Sequence, residues 1–253
     1  MRFLLRLLCL LLAAVPLHAE DIKVAAASDL NFAIKEIIQQ FEHETGNKVR
    51  LTLGSSGNFY AQIVNGAPFD VFLSADMNYP KQLEKDGFAA PGSTFVYGVG
   101  AISLWAPNGS PIKLDVLGMQ ALREPSVKKI AVANPAHAPY GRAAVAALRN
   151  AKIYDLVKSK LVLGESVSQA AQFVQSGAAD VGIIALSIAT SEPMLRTGRH
   201  WPIPGNMYPL LEQGAVLLKR AAPGAKAFHE WLRGPESRKI LQKYGFGQAL
   251  SRV

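Results

Sequence analysis

The segment FVYGVGAISLWAP fills residues 95–107 and is too long for one ordinary strand. A second apolar segment, GAVLLK at 214–219, follows a proline-rich stretch at 202–209. Two such segments, far apart in a chain of 253 residues, are typical of a protein that crosses from one lobe to another and returns. We therefore predict that lobe one comprises residues 20–97 plus 206–253 and that lobe two comprises residues 98–205.

Short β-branched runs alternate with helical patterns along most of the chain. The predicted strands are residues 22–27, 49–53, 71–75, 130–133, 161–163 and 181–185. After the first strand, Ile34, Ile37, Ile38 and Phe41 share one helix face, and Gly46 follows as a stop signal. Similar patterns predict helices at about 57–66 and 167–177. The alternation predicts a two-lobed α/β fold with mainly parallel sheets, flanking helices and a hinge of two crossings.

Residues 1–19 have the layout of a secretory signal peptide. Arg2 and Arg6 stand around the start of a leucine-rich run, which ends in PLHA at 16–19. The alternative is a membrane anchor, but the run is shorter than the roughly 20 residues that span a bilayer. Cys9, the only cysteine, follows two leucines and not the small residues of a lipoprotein signal. We expect cleavage after Ala19 and a soluble periplasmic product with no membrane span.

The chain carries a formal net charge of +8, but its Lys and Arg residues are scattered and do not cluster with aromatic side chains. This distribution argues against binding of nucleic acid. The histidines of the mature chain include no pair at i, i+4, so a zinc-helix motif is absent. Gly98-Val99-Gly100 lacks the third glycine of a dinucleotide fingerprint. We expect no cofactor and no directly coordinated metal.

Small or hydroxylated residues mark four places where a strand is followed by a helix. These junctions are Ser28-Asp29, Ser55-Ser56-Gly57, Tyr140-Gly141 and Ser166-Val167. A helix N-terminus has unpaired N–H groups and a partial positive charge, so it holds an anion without a basic side chain. In α/β sheets these junctions lie at the carboxyl ends of the strands, where ligands bind. The pattern predicts an anion site between the lobes, with simple helix capping by serine as the alternative.

Three residues near these junctions have competing interpretations. Asp29 would repel an anion if it pointed inward, so capping or complementing the helix dipole is the favoured role. His137 either supports the loop before Tyr140 or titrates near neutral pH, and a structural or solvated role is favoured. Gly54-Ser55-Ser56-Gly57 superficially resembles a hydrolase nucleophile elbow, but it lacks the full G-x-S-x-G spacing. A serine-dependent hydrolase is therefore a weak alternative, and we predict that the protein is not an enzyme.

Five motifs carry a resemblance that covers nearly all of the mature chain. They are AAASDL at 25–30, GSSGN at 54–58, GAPFDVFLSAD at 66–76, NPAHAPYG at 134–141 and GPESRKILQKYGF at 234–246. In this order and spacing, they resemble the periplasmic molybdate-binding proteins of ABC importers, which are two-lobed binding proteins of the class II type. The resemblance implies a tetrahedral oxyanion held by the serines Ser28 and Ser56 and by the backbone N–H groups of Tyr140 and Val167.

One position departs from the pattern of this family. Some members add a tyrosine hydroxyl, and that tyrosine aligns with Ala185, which has no side-chain donor. Tyr140 supplies a hydroxyl nearby, either for the ligand or as an aromatic that packs at the mouth of the cleft. The resemblance implies capture of molybdate, and of tungstate, through neutral donors and delivery to an ABC permease and ATPase complex. A monomer is expected, and an oxyanion sensor subunit of a signalling system is the alternative.

Overall fold

A computed structural model describes residues 21–247, so the signal-peptide prediction for residues 1–19, with Cys9, lies outside the described part of the chain. Ten strands form two five-stranded sheets in this range. The strands are β1 (Ile22–Ala27), β2 (Val49–Gly54), β3 (Val71–Ser74), β4 (Phe95–Gly100), β5 (Ile102–Pro107), β6 (Ile130–Ala133), β7 (Leu161–Gly164), β8 (Val181–Ala185), β9 (Gly198–Pro202) and β10 (Leu211–Leu217). The predicted two-lobed α/β fold is confirmed.

Helices connect and cover the strands. They are α1 (Ala33–Thr45), α2 (Ser56–Val64), α3 (Asn78–Lys85), α4 (Leu114–Leu117), α5 (Pro139–Asn150), α6 (Tyr154–Val157), α7 (Val167–Gln175), α8 (Leu186–Ala189), α9 (Glu192–Thr197), α10 (Pro223–Trp231) and α11 (Pro235–Lys243). A short 3-10 turn, Ser28–Leu30, stands between β1 and α1. Between residues 21 and 247, no helix combines the length and the apolar character needed to cross a membrane.

The two sheets share one plan. The first has the order β2-β1-β3-β10-β4 and the second the order β7-β6-β8-β5-β9. In the first sheet β1 pairs in parallel with β2 and β3, whereas β10 runs antiparallel to β3 and β4. In the second, β6 pairs in parallel with β7 and β8, whereas β5 runs antiparallel to β8 and β9. Four strands of each sheet therefore run in one direction, in agreement with the predicted mainly parallel sheets, and one strand next to a crossing, β10 or β5, runs against them.

The long apolar segment at 95–107 divides at Ala101. Gly100, the last residue of β4, pairs with Leu211 in the first sheet. Ile102, the first residue of β5, pairs with Ala185 in the second sheet. The chain therefore passes between the sheets in one residue and returns through the connection from β9 to β10. The apolar run is longer than one ordinary strand because it contains two strands, one in each sheet.

Helix α1 illustrates how the sequence produces the layers. Ile34, Ile37 and Phe41 are fully buried on its sheet-facing side. The helix ends at Gly46, whose left-handed φ of 73° is a conformation that glycine adopts without steric cost. Phe41 packs edge-to-face on Phe228 of α10, with ring centroids 5.0 Å apart. Separate clusters of buried apolar residues underlie the two sheets, so each lobe has a core of its own.

Candidate anion-binding site

Four parallel strands, two from each sheet, have their carboxyl ends at the space between the lobes. In the first sheet, β1 leads into Ser28 and β2 leads into α2, which begins at Ser56. In the second sheet, β6 and β7 lead into α5 and α7. Hydrogen bonds between residues of these junctions cross from one lobe to the other, so the structure brings the four predicted positions to one closed cleft.

The hydroxyl of Ser28 touches the second lobe. Its Oγ accepts a hydrogen bond of 3.2 Å from the backbone N–H of Ser168, and its carbonyl oxygen accepts one of 2.9 Å from the hydroxyl of Ser168. A serine hydroxyl has a single hydrogen to donate and two lone pairs. Since the contact with the N–H uses a lone pair, the hydrogen of Ser28 remains available for an acceptor in the cleft.

The hydroxyl of Ser56 is held in the same way, but by its own lobe. Ser56 is the first residue of α2 and is only 1% exposed. Its Oγ accepts a 2.9 Å hydrogen bond from the backbone N–H of Ala75. The lone pair is again occupied, which leaves the hydrogen to donate. Each predicted serine is thus oriented as a donor by a backbone N–H group behind it.

The second lobe contributes helix N-termini. Tyr140 and Val167 are the second residue of α5 and the first of α7, where backbone N–H groups have no partner within the helix. Ser166 caps α7, because its Oγ accepts a 3.2 Å hydrogen bond from the N–H of Gln169. The cap provides a hydrogen-bond acceptor for the N–H of Gln169, the third residue of the helix. The N–H of Val167 therefore remains free to bind an anion. Ser166 therefore acts as a helix cap, and this role is compatible with the predicted donor role of its neighbour Val167.

His137 joins the lobes at the side of α2. Its carbonyl oxygen accepts 2.9 Å hydrogen bonds from the N–H of Gly57 and from the hydroxyl of Ser55. Ser55 Oγ also lies 2.9 Å from His137 Nδ1, and Glu165 Oε2 lies 3.3 Å from His137 Nε2. A Cβ on Gly57 would come within 2.5 Å of the His137 carbonyl oxygen, so only glycine permits this approach. The favoured structural role of His137 thus takes the form of a bridge between the lobes.

Asp29 lies at the centre of a buried polar network. Its Oδ2 accepts a 2.9 Å hydrogen bond from the hydroxyl of Tyr140 and a 2.7 Å hydrogen bond from Nε2 of Gln213. Gln213 also contacts the Tyr140 hydroxyl at 2.8 Å, and its Oε1 lies 2.7 Å from the Tyr97 hydroxyl. Asp29 is the acidic residue of the first turn, Ser28–Leu30, so the favoured role of capping or complementing the helix dipole stays a prediction. Its hydrogen bond from Tyr140 shows that the carboxyl also contacts the other lobe.

Burial governs the charge of this network. Desolvation raises the pKa of the Asp29 carboxyl from 3.8 to about 6, against the opposing effect of hydrogen bonds from Gln213 and Tyr140. Burial and the nearby Asp29 carboxylate hold the pKa of the Tyr140 hydroxyl well above 10.0. Tyr140 is only 3% exposed, so neither interpretation offered for its side chain applies. The ring is not at the mouth of the cleft, and the hydroxyl is committed to Asp29.

Ala185 is at the end of β8 and is fully buried. It contributes no side-chain donor. Two residues later, in α8, the hydroxyl of Ser187 donates a 2.8 Å hydrogen bond to the backbone carbonyl of Asp29. The segment that follows Ala185 therefore supplies a bond between the lobes.

Cations contribute little to the cleft. Arg142 of α5 pairs with Asp76 of the first lobe at 2.5 Å, so its charge is neutralised beside the site. Among residues 21–247 there is no cluster of three or more His, Cys, Asp or Glu residues that could hold a metal ion. The cleft offers N–H and O–H donors, helix dipoles and one buried carboxyl, which suits a small anion bound through its oxygens.

A large groove of the described chain lies elsewhere. It is at the amino ends of the strands of the first sheet, away from the four junctions, and it has a volume of about 1350 Å³. Its basic lining residues are Lys23, Arg50, Lys219 and Arg220. Ligands of α/β sheets bind at the opposite, carboxyl ends of the strands. The groove is therefore a poor candidate for the principal site, although its charge would attract anions.

Sequence reasoning missed the residues that orient the donors. Ser168 and Gln213 belong to this group: Ser168 contacts Ser28, and Gln213 organises Asp29 and Tyr140. Gln213 left a faint signal, because it is a polar residue directly before the apolar run GAVL in the strand LEQGAVL, and the structure buries it fully. Ser168 left none, since one more serine in a helix is ordinary.

Comparison with known proteins places these features among bacterial binding proteins. The family model for bacterial extracellular solute-binding proteins matches residues 22–247. The chain is 41% identical over 238 residues to the molybdate-binding protein ModA of Azotobacter vinelandii, with 93% of each chain covered. It is 39% identical over 235 residues to ModA of Rhodobacter capsulatus, with 92% of this chain and 90% of that protein covered.

Two solved structures define the structural likeness. The periplasmic molybdate-binding protein of Azotobacter vinelandii aligns with a TM-score of 0.82 and 36% identity, covering 90% of this chain and all of that one. The sulfate-binding protein SubI of Mycobacterium tuberculosis H37Rv aligns with a TM-score of 0.72 and 16% identity, covering 89% and 86%. At that lower identity the second likeness concerns the fold alone.

Proposed function

Because the chain belongs to the family of bacterial extracellular solute-binding proteins, we propose that it captures molybdate, and also tungstate, between its two lobes. It is a binding protein and not an enzyme, and the oxyanion is its ligand and not a cofactor. One observation supports the proposal above the others. The hydroxyls of Ser28 and Ser56 each accept a backbone N–H, so both hydrogens are free to donate to an anion.

In this proposal the dianion lies among Ser28, Ser56, Tyr140 and Val167. The serines donate through their hydroxyls, and the second-lobe residues donate through their backbone N–H groups. A hydrogen bond to a charged partner is worth about 1.5–3 kcal/mol, so four donors offset a large part of the cost of desolvating the anion. Molybdenum itself is not coordinated by the protein, because the donors reach only its oxygen atoms.

Selectivity in this proposal has two sources. Donors without acceptors favour an anion that carries no proton, and we expect the size of the cleft to favour the longer metal–oxygen bonds of molybdate and tungstate over sulfate or phosphate. Ala185 adds no fifth donor, so the site depends on the four that remain. Asp29 is a buried acceptor beside the site, and its charge state therefore bears on which anion is bound.

The wider role follows the family. We propose that the protein works in the periplasm after removal of residues 1–19, as a monomer, and that its closed form delivers the anion to an ABC permease and ATPase complex. We retain lobe one as 20–97 plus 206–253 and lobe two as 98–205. The break between β4 and β5 at Ala101 lies within a few residues of the first proposed boundary and supports a crossing there.

A panel of oxyanions in a thermal-shift assay tests the proposal. The mature protein is heated with molybdate, tungstate, sulfate or phosphate at about 100 times the dissociation constant, where a ligand adds roughly 2.7 kcal/mol of stability. We expect a clear rise in melting temperature with molybdate and tungstate and little with the other two. A larger rise with sulfate or phosphate, or no rise with any anion, would contradict the proposed ligand.

A further inference from the structure

Asp29 has an arrangement that a purely structural carboxylate lacks. It follows the proposed ligand residue Ser28, it is 1% exposed, and its Oδ2 bonds to the side chain of Tyr140, whose N–H is another proposed donor. Its second oxygen, Oδ1, has no hydrogen-bond partner of standard geometry among residues 21–247. An unpaired, buried carboxylate oxygen is costly, because nothing replaces the water it has lost.

A dianion in the cleft would further destabilise the ionised form of Asp29. Negative charge would then face negative charge in a buried space where screening by water is weak. We infer that capture of the dianion is coupled to the uptake of one proton by the Asp29 carboxylate. The inference rests on the proposed function, since it concerns the charge balance of that same site.

Closure of the lobes explains why the Asp29 carboxylate would take up a proton. The groups that cover Asp29 include Tyr140 of α5, whose hydroxyl donates to Oδ2, and Ser187 of α8, whose hydroxyl donates to the backbone carbonyl. Both belong to the second lobe, so opening the cleft removes these contacts, and we expect water to reach the carboxyl there while Gln213 of the first lobe stays bound to it. In the closed form, burial raises the pKa of Asp29 from 3.8 to about 6, while the N–H groups of Asp29 and Leu30 lower it to a smaller extent. A bound dianion acts in the same direction as burial.

Within the described residues 21–247, no cationic side chain pairs with the Asp29 carboxylate. The titratable groups that face it are the phenols of Tyr140 and, through Gln213, Tyr97, and both are neutral at physiological pH because their pKa values are raised well above 10.0. Gln213 of β10 is uncharged, and its neighbour Glu212 points to the opposite face of the strand. Helices α7 and α8 carry no titratable side chain. Arg142 of α5 pairs with Asp76 instead.

The proton balance is simple. The buffer gives up one proton, the Asp29 carboxylate becomes a carboxylic acid, and the anion keeps its charge and all its bonds. As an acid, Asp29 gains an O–H donor, which suits a site built from donors. Because the bound state holds the proton more tightly than the open state, affinity rises as the pH falls through the bound-state pKa. The gain approaches tenfold per pH unit when a full proton is taken up.

Calorimetry of molybdate binding tests this inference. The mature wild-type protein is titrated with molybdate at about pH 7 in HEPES and in imidazole, two buffers with different ionisation enthalpies. The difference between the observed enthalpies gives the number of protons taken up. We expect between about half and one proton for the wild type, and affinity that tightens by up to about tenfold per unit between about pH 8 and about pH 6. Heats of dilution of the molybdate salt are subtracted in each buffer. Equal binding enthalpies in the two buffers would then overturn the inference from the wild-type protein alone.

Variants assign the proton to a residue. Asp29→Asn removes the titratable group, and we expect binding with no proton uptake and little dependence on pH. Asp155→Asn, which alters an exposed carboxylate of lobe two, is the matched control and should retain the wild-type uptake. Uptake that persists in Asp29→Asn, or that disappears in Glu165→Gln instead, would overturn the assignment to Asp29. If neither molybdate nor tungstate gives any heat or thermal shift, the proposed function fails first, and this outcome differs from binding without proton uptake.

Discussion

Replacing Ser28 by alanine gives the sharpest expectation for the site. In the closed cleft the hydroxyl accepts the N–H of Ser168 at 3.2 Å and keeps its hydrogen for the anion. Ser28→Ala therefore removes one charge-assisted donor, which is worth about 1.5–3 kcal/mol, or roughly a ten- to 150-fold loss of affinity. The N–H of Ser168 also loses its acceptor in the closed form, which weakens closure further.

Isothermal titration calorimetry with molybdate measures this loss, and urea unfolding of the ligand-free protein checks that the fold remains intact. Ser176→Ala is the matched control, because Ser176 follows the other end of α7 and lies at the surface. We expect the control to bind like the wild type. An affinity for Ser28→Ala within about twofold of the wild type would refute the assignment of Ser28 as a donor, since twofold is only about 0.4 kcal/mol.

Two further substitutions examine closure and acid stability. Gly57→Ala would place a Cβ within 2.5 Å of the His137 carbonyl oxygen in the other lobe, so we expect weaker molybdate binding and a larger radius of gyration by X-ray scattering with ligand. An unchanged affinity would show that the lobes need not approach this closely. Burial lowers the pKa of His229 below 6.5, so folding disfavours its protonation and stability should fall as the pH drops below that value. His229→Leu should lose less stability than the wild type between about pH 7 and about pH 5 in urea unfolding, and equal losses would exclude His229 as the cause.

The sequence was sufficient for six of the ten strands of the described chain and for the places where α2, α5 and α7 begin. Alternation of β-branched runs with helical periodicity predicted six strands, and all six are present, because these signals are local. The direction in which neighbouring strands pair was harder to predict from the sequence. The antiparallel returns of β5 and β10 follow from where the chain crosses at Ala101, which is a property of the whole topology and not of any window.

The network around Asp29 shows what sequence reasoning could not reach. Asp29 and Gln213 are 184 residues apart, and their hydrogen bond exists only because β10 returns to the first sheet beside β3. The motif placed Asp29 next to Ser28, but its direction depends on Tyr140 from the other lobe. A local rule assigns such a carboxyl to the start of the next helix, and it cannot show the contacts that the same carboxyl makes with a distant lobe.

A crystal structure of the protein with molybdate, with anomalous scattering recorded at the molybdenum edge, tests the proposed site most directly. We expect one strong anomalous peak in the cleft, with oxygen atoms within hydrogen-bonding distance of the Ser28 and Ser56 hydroxyls and of the Tyr140 and Val167 N–H groups. A principal peak in the groove lined by Lys23, Arg50, Lys219 and Arg220, or no peak between the lobes, would contradict it.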